Sequence, residues 1–256
     1  MIAVVSIAGL IVFLWPFLGF GLSPEAPALL VTIAAVASLA IMEVGARRLD
    51  SGRLALLAAL AAIDAALRLA MVNGVAGYSP IFFLVLAAGY EFGPSYGFLV
   101  GSFSLLVSAV VTGGVGPWLP YETFAVGWVG LAAGVAGSVV RGVRPARRSW
   151  LPSRLDLGAL VIVAILTGYA YGILLDVYGW VAFYRGVENV GWIPGLSPGQ
   201  SLAQFGRYYV LTSFAWDSFR AAGDAIAVLA FGAPVLMALG RLRARLGYEI
   251  VAAHDI

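Results

Sequence analysis

Long apolar stretches separated by short connections constrain the fold of this chain more than any other feature. Eight of them lie at about 2–22, 27–46, 53–72, 81–91, 94–112, 121–140, 158–178 and 208–240. A membrane-spanning helix needs about 20 mostly apolar residues, and most of these stretches reach that length. Only 11% of the 256 residues are charged, whereas soluble domains carry about a quarter. The sequence therefore predicts an all-α polytopic membrane protein in a lipid bilayer.

Residue types that the chain lacks exclude several kinds of chemistry. There is no cysteine and a single histidine, His254, so a metal site of the usual histidine and cysteine kind is not expected. No G-x-x-x-x-G-K-[ST] phosphate loop occurs, so we expect no ATPase activity in this chain. We also expect no cofactor and no nucleic-acid partner.

Arginine clusters indicate the orientation in the membrane. They are Arg47, Arg48 and Arg53; Arg141, Arg144, Arg147, Arg148 and Arg154; and Arg241, Arg243 and Arg245. With the stretches above as spans, all three clusters fall on one side, which the positive-inside rule makes cytoplasmic. We therefore expect cytoplasmic termini, and loops near 112–120 and 179–207 outside. The small residues at 26–28 resemble a signal cleavage site, but no basic region precedes the first stretch, so we favour a retained helix.

The third stretch combines a smooth face with a pair of charges. Ala58, Ala62 and Ala66 repeat every four residues and share one helical face. At 3.6 residues per turn, Asp64 and Arg68 point roughly 140° away from that face. Small residues allow helices to approach closely, so the ladder fits either packing inside the bundle or docking of a partner helix.

Three more charges lie in the last stretch, where Asp217, Arg220 and Asp224 fall within about 60° of one another on one face. If both stretches span the membrane, Arg68 lies at the same depth as Asp217, and Asp64 lies at the same depth as Arg220. A charge in hydrocarbon costs at least about 2.5 kcal/mol unless it is paired or hydrated, so we expect at least one ion pair among the five. These charges either clasp two helices together or line a cavity for a polar ligand.

Aromatic residues concentrate in the two long outer loops. An interfacial aromatic belt and a stacking surface for a planar ligand both fit this concentration. Glu122 lies beside them at the start of a span and can reach the rim of the same cavity. The candidate ligand-binding residues are thus Asp64, Arg68, Trp118, Tyr121, Glu122, Trp180, Tyr184, Trp192, Asp217, Arg220 and Asp224.

Small residues also mark the middle of the chain. The stretch at 81–91 is short and Gly93-Pro94 follows at once, which predicts a broken helix whose turn stays near the membrane. Glycines repeat every four residues in two ladders, Gly89, Gly93, Gly97 and Gly101 in one, and Gly130 and Gly134 with Ser138 in the other. We interpret both ladders as tight internal packing.

From the third stretch onward, the chain resembles the substrate-binding (S) component of energy-coupling factor (ECF) transporters, which are micronutrient importers of prokaryotes. The resemblance covers about residues 50–245. It rests on the alanine ladder and on the segments at 79–83, 92–98, 112–120 and 216–224.

The resemblance implies a six-helix core over 47–246, two extra N-terminal transmembrane helices in 1–46 and a cytoplasmic tail in 247–256. It implies a protein of the prokaryotic plasma membrane that is not an enzyme itself. Such a protein captures a vitamin-like small molecule outside and delivers it with a scaffold (T) subunit and two ATPase subunits. The ladder of Ala58, Ala62 and Ala66 would dock the scaffold. Cobalamin or a corrinoid precursor is the first candidate ligand, and riboflavin or another heterocyclic vitamin is the second.

Two other classes of protein stay open. A proton-coupled secondary transporter would use buried Asp/Arg pairs with a carboxylate as proton relay, but it usually has an internal repeat, and none is evident. A membrane-embedded enzyme could use Asp64, Glu122, Asp217 and Asp224 as acids and bases, although no recognisable catalytic motif contains them.

Overall fold

The computed structural model describes residues 2–17, 25–45, 49–71, 78–143 and 151–247, and these residues form helices joined by turns and short irregular segments. The α-helices are α1 (Ile2–Leu14), α2 (Glu25–Gly45), α3 (Ser51–Ala70), α4 (Ile81–Phe92), α5 (Pro94–Thr112), α6 (Leu119–Gly142), α7 (Arg154–Phe183), α8 (Pro198–Thr212) and α9 (Phe214–Arg245). The predicted all-α class is confirmed for this part of the chain. Of the predicted tail at 247–256, only Gly247 is among the described residues.

Four helices, α5, α6, α7 and α9, are long and apolar enough to cross a membrane. Their outward side chains are apolar: Val110, Leu166 and Leu229 are 75%, 62% and 67% exposed. Soluble monomers rarely expose apolar patches of large area, so this surface suits lipid. Helix α3 has 20 residues, but Arg53, Asp64 and Arg68 lower its hydropathy. The chain has the features of a helical membrane protein.

Contacts at one end show that α3, α4, α5, α6, α7 and α9 alternate in direction. The guanidinium of Arg53 donates to the Gly247 carbonyl (3.0 Å), and the Tyr96 hydroxyl donates to the Arg53 carbonyl (3.1 Å). The Tyr90 hydroxyl donates to Asp156 Oδ1 (2.9 Å). These bonds gather the starts of α3, α5 and α7 with the ends of α4 and α9, and we call this the arginine end. The opposite end is called the aromatic end.

The alternation agrees with the predicted distribution of arginines. Of the three clusters, Arg53, Arg141, Arg154, Arg241, Arg243 and Arg245 belong to helix termini at the arginine end. The remaining members, Arg47, Arg48, Arg144, Arg147 and Arg148, lie outside the described residues.

Helix α4 is the short, broken helix that the sequence predicts. Its 12 residues span only about 18 Å at 1.5 Å per residue, and nearly all of them are buried. The helix stops at Gly93, whose φ of 97° is a conformation that glycine adopts without steric cost, and Pro94 opens α5. Helix α4 therefore fills only part of the depth of the bundle and ends at the arginine end.

The two glycine ladders face each other, which confirms the predicted internal packing. A methyl group at Gly89 or Gly97 would overlap the backbone of Gly130, and one at Gly134 would overlap Gly93 and Pro94. Backbones of α4, α5 and α6 therefore touch directly, and the close approach increases their dispersion contacts.

The predicted last stretch, 208–240, is divided between two helices. Helix α8 ends at Thr212 and α9 begins at Phe214, so the predicted outer loop at 179–207 contains most of a helix. Ser197 and Gln200 form a capping box at its start: the Ser197 N–H donates to Gln200 Oε1 (3.1 Å) and the Gln200 N–H to Ser197 Oγ (3.4 Å). The Ser-x-x-Gln pattern in the sequence is typical of a helix start. The predicted stretch rested on hydropathy alone and therefore began later than α8 does.

The N-terminal helices α1 and α2 pack against α6. The Trp128 indole N–H donates to Ser6 Oγ (3.1 Å), and the rings of Phe13 and Tyr121 meet edge to face with centroids 5.2 Å apart. Helix α1 ends at Leu14 and a 3-10 turn over Trp15–Phe17 follows, as expected of a helix that meets a proline. Both helices are thus part of the packed bundle at their described residues.

Candidate functional site

Helix α3 directs its charges into the bundle and its alanine ladder outward. Asp64 is fully buried, whereas Ala58, Ala62 and Ala66 are all exposed. The two faces therefore point apart, as helical geometry predicts, and the ladder is the outward one, which the sequence had left open. Packing within the described chain does not account for the ladder.

Arg68, one turn after Asp64, contacts two other helices. Its Nη1 donates to Ser108 Oγ on α5 (3.3 Å), and its Nη2 lies 3.6 Å from Glu122 Oε2 at the start of α6. Glu122, a candidate from the sequence, is thus the ionic partner of Arg68 and ties α3 to α6 at the aromatic end.

Helix α9 contributes the second ion pair, between Arg220 and Asp217 one turn apart. Arg220 Nη1 also donates to the Gly168 carbonyl on α7 (3.4 Å), and its guanidinium lies 5.1 Å from the centroid of the Tyr171 ring. A methyl group at Gly172 would overlap the Asp217 carboxylate. The glycines of α7 therefore let the charged face of α9 pack against it.

Tyr171 stands between the two ion pairs, although the sequence did not single it out. Its phenol interacts electrostatically with all four of their charges, and its ring meets that of Phe82, at the start of α4, with centroids 4.7 Å apart. We refer to the residues that converge here as the charge cluster: Asp64, Arg68, Glu122, Tyr171, Asp217, Arg220 and Asp224. The cluster is bordered by α3, α6, α7 and α9 beside the buried start of α4.

The predicted ion pair is confirmed, but its partners differ from those that depth suggested. The pairs Arg68–Asp217 and Asp64–Arg220 do not form in the described part of the chain. Glu122 is the partner of Arg68 and Asp217 is the partner of Arg220. Helix α4 packs against both α3 and α9 and separates the two helices at the depth of these charges.

Two carboxylates of the cluster are buried without a hydrogen bond of normal geometry. Asp64 and Asp224 are 0% and 1% exposed, and none of their four carboxylate oxygens has a hydrogen-bond partner among the described residues. The hydroxyl of Ser104 faces Asp64 and interacts with it, although the two groups do not reach normal hydrogen-bond geometry. Burying a charged group without compensation is very unfavourable, so these carboxylates need an explanation beyond packing.

Asp176, near the end of α7, is half-buried and hydrogen-bonded. The Ser213 hydroxyl donates to Asp176 Oδ1 (2.8 Å), and the Tyr208 hydroxyl lies 3.5 Å from the same oxygen. Burial, with the charge of Asp176 beside it, raises the pKa of Tyr208 to about 12. Tyr208 thus keeps its proton and serves as a donor where α7, α8 and α9 meet.

Most of the candidate aromatic residues pack against one another at the aromatic end. Trp180 is fully buried; its indole N–H donates to the Val190 carbonyl (2.7 Å), and its ring stacks on Phe17 with centroids 5.9 Å apart. The Trp192 indole N–H donates to the Pro16 carbonyl (3.2 Å). Both tryptophans therefore hold the loop after α7 against the end of α1.

The other three aromatic candidates differ in exposure. Tyr121 is 1% exposed, and Tyr184 is packed edge to face on Tyr208 with centroids 4.7 Å apart. Trp118 keeps 37% of its surface exposed. Of the five aromatic candidates, Trp118 has the largest exposed fraction, while the other four form a packed aromatic layer.

A second set of buried charges lies at the arginine end and was missed in the sequence. Glu91, fully buried, has its Oε2 3.3 Å from Arg243 Nη1. Tyr90 donates its hydroxyl to Asp156, and its carbonyl accepts from Arg141 Nη1 (2.7 Å). We call these five residues the arginine-end network. The sequence did contain one indication of these buried charges, because Glu91 is a single acid inside an apolar stretch.

Within the described residues, no three His, Cys, Asp or Glu side chains are grouped so that they could hold a metal ion.

No protein-family model, curated protein or solved structure matches the chain.

Proposed function

We propose that this chain is the membrane-embedded substrate-binding subunit of an ECF-type micronutrient importer in a prokaryotic plasma membrane. The main support for the proposal is that the two faces of α3 are suited to different tasks. Its inner face brings Asp64 and Arg68 into the charge cluster, and its outer face presents an exposed ladder of small residues. A ligand site inside the bundle and a helix-docking surface outside it are the two parts that such a subunit requires.

In the proposed arrangement, α3, α4, α5, α6, α7 and α9 are the six core helices, and α1 and α2 are the two additional ones. The arginine end faces the cytoplasm, as the positive-inside rule requires, with both chain termini on that side. The aromatic end then faces outward, and the ligand enters there and meets the charge cluster. ATP hydrolysis takes place in two partner subunits, and the chain has no catalytic activity of its own.

The proposed ligand is a vitamin-like compound, with cobalamin or a corrinoid precursor first and riboflavin or another heterocyclic vitamin second. Trp118 supports a planar ligand because part of its ring is exposed. Trp180 and Trp192 support it less, because their rings are packed inside the aromatic layer. A large planar ligand would have to displace part of that layer.

Uptake with and without partners tests the proposal. The chain is expressed in cells that lack cobalamin and riboflavin transporters, alone or with the scaffold and ATPase subunits of its own genome. Radiolabelled cobalamin and riboflavin are then supplied separately. We expect accumulation only when all subunits are present and the ATPases are active. Accumulation by the chain alone, or ATP hydrolysis by the purified chain, would contradict the proposal.

The docking surface is tested by Ala62→Trp. A bulky side chain in a small-residue interface holds the helices apart, so this variant should assemble poorly with the scaffold while it still binds ligand. Ile63→Trp is the matched control, since Ile63 is also exposed but points about 100° away from the ladder. Equal assembly of the two variants would show that the ladder faces lipid only.

A proton-coupled secondary transporter is the second candidate, and the unpartnered carboxylates of Asp64 and Asp224 favour it. Ionisable groups inside membrane helices serve as proton relays in pumps and transporters. Proteoliposomes that contain this chain alone would then accumulate ligand when a pH gradient is imposed, and Asp64→Asn or Asp224→Asn would abolish the accumulation. A lack of gradient-driven accumulation would exclude this candidate.

A further inference from the structure

The charge cluster holds more carboxylates than guanidinium groups. Its four acids are Asp64, Glu122, Asp217 and Asp224, and its two cations are Arg68 and Arg220. Each arginine already has an ionic partner, Glu122 and Asp217 respectively. Two acids are therefore left over, in a part of the bundle where a single uncompensated charge is already unfavourable.

Asp224 is the surplus carboxylate with the fewest polar neighbours. It is 1% exposed, and neither of its oxygens accepts a hydrogen bond from a described residue. Arg220, one turn earlier on α9, is the positive charge that acts on it. The Arg220 guanidinium, however, is engaged by Asp217, by the Gly168 carbonyl and by the Tyr171 ring.

Aromatic rings border Asp224 and the charge cluster. The Tyr78 ring packs against Gly223, next to Asp224, so closely that a methyl group on Gly223 would overlap it, and its phenol interacts electrostatically with Asp224. The Tyr171 ring already accepts the Arg220 guanidinium on its face. The faces of tyrosine rings attract cations. Asp224, which has no hydrogen-bond partner among the described residues, lies beside the Tyr78 ring, and this environment is suited to a positive charge.

We propose that the ligand of this protein carries a positive charge, as an organic cation with a protonated amine or a cationic nitrogen heterocycle, and that Asp224 is its ionic partner. This inference rests on the proposed function, since it assumes that the charge cluster binds a small molecule. It also narrows that function, because an organic cation would take the place of cobalamin and riboflavin as the ligand. Hard metal cations such as Ca²⁺ require six or more oxygen ligands. The described residues offer no group of three acidic or histidine side chains for one, and the neighbouring rings favour an organic cation.

Binding of matched probe pairs tests the proposal. The protein, reconstituted in nanodiscs, is titrated with choline and its neutral isostere 3,3-dimethylbutanol, and with 1-methylnicotinamide and neutral nicotinamide. Binding is followed by calorimetry. We expect the cation of at least one pair to bind at least tenfold more tightly than its neutral partner. We also expect this preference to disappear in Asp224→Asn, which keeps the shape of the side chain but removes its charge.

Two further variants keep the test decisive. Asp224→Glu retains the charge and should retain the preference, so it replaces Asp224→Asn as the readout if the latter does not fold. Asp176→Asn is the matched control, because Asp176 lies at the same end but is already hydrogen-bonded by Ser213. It should change cation affinity less than threefold.

Three results would overturn the inference: no preference for either cation, a preference that Asp224→Asn leaves unchanged, or loss of the preference in Asp224→Glu. Small molecules that co-purify with the protein provide a second readout, by mass spectrometry. A neutral or anionic compound retained equally by wild type and Asp224→Asn would overturn the cation assignment and leave the proposed function intact. Failure to import a compound that the protein binds, with all partner subunits present, would instead count against the proposed function.

Discussion

The two ends of the bundle both bury charged side chains, but they differ in how those charges are compensated. At the arginine end, Glu91 is paired with Arg243 across α4 and α9, and Asp156 accepts hydrogen bonds from Tyr90 and from Ser153. At the aromatic end, the charge cluster contains two ion pairs together with Asp64 and Asp224, whose oxygens have no hydrogen-bond partner among the described residues. At the arginine end each acid of the network has an ionic or hydrogen-bonding partner, although Glu91 Oε2 itself accepts no hydrogen bond of normal geometry from a described residue. At the aromatic end two acids of the charge cluster have neither among the described residues.

This difference separates a structural from a functional use of buried charge. A satisfied network holds helices in register, and removing one member leaves another charge buried without a partner. Unpartnered carboxylates do the opposite, since they reduce stability and are retained where binding or proton transfer requires them. Mutations in the arginine-end network should therefore lower stability. Mutations of Asp64 or Asp224 should instead impair binding and leave stability unchanged or higher.

The largest effect is expected from breaking the buried pair at the arginine end. Arg243→Ala leaves Glu91 buried without its ionic partner, which costs about 3–5 kcal/mol of unfolding free energy in comparable pairs. Unfolding in mixed detergent and dodecyl sulfate micelles measures this loss. Arg241→Ala, at an exposed position of the same helix, is the control and should cost much less. The double variant Glu91→Gln/Arg243→Ala should recover part of the stability; strict additivity would show that the two residues are not coupled.

An intermediate loss of stability is expected from removing a tyrosine hydroxyl at the arginine end, but not from removing one in the charge cluster. Tyr90→Phe deletes the donor to Asp156 (2.9 Å), and a hydrogen bond to a charged group contributes about 1.5–3 kcal/mol. Tyr171→Phe keeps the ring beneath Arg220 and removes no hydrogen bond seen among the described residues, so it should cost clearly less stability than Tyr90→Phe. The same unfolding assay compares the two variants. Equal losses would mean that the charge cluster is as fully hydrogen-bonded as the network.

The smallest effect, and one of opposite sign, is expected from Asp64→Asn in the charge cluster. Replacing an unpartnered buried carboxylate with a neutral amide should leave the ligand-free protein as stable as before or raise its unfolding free energy by up to about 1 kcal/mol. Asp156→Asn weakens hydrogen bonds at the arginine end and should lower it by at least about 1 kcal/mol. A loss of stability in Asp64→Asn as large as that in Asp156→Asn would remove the distinction between the two ends.

Much of the charge cluster was accessible from the sequence because helical geometry is regular. Asp64 and Arg68 share one face of α3, and Asp217, Arg220 and Asp224 share one face of α9, by a periodicity that a single helix imposes. Charges within apolar helices must point inward, so both faces could be assigned to the bundle interior. The turn at Gly93 was equally predictable, because Gly-Pro ends one helix and begins another.

Side-chain partners were not accessible in the same way. The sequence matched Arg68 with Asp217 by depth, whereas the structure pairs Arg68 with Glu122. Depth along a helix is a local property, but contact depends on which helices are neighbours, and α4 lies between α3 and α9. Trp180 and Trp192 illustrate the same limit, because an aromatic residue in a loop looks available for a ligand until the packing of the loop is known.

The sequence by itself determined the all-helical class, the broken helix at Gly93, the common end of the arginine clusters and the inward direction of the charged faces. These features follow from composition and from the repeat of one helix, and neither depends on distant parts of the chain. Only the tertiary structure decided that Tyr171 stands between the ion pairs and that Glu91 and Arg243 are partners. It also decided that the carboxylates of Asp64 and Asp224 have no hydrogen-bond partner of normal geometry among the described residues. Such relations depend on the adjacency and rotation of helices far apart in sequence, which the summed packing of the whole bundle decides.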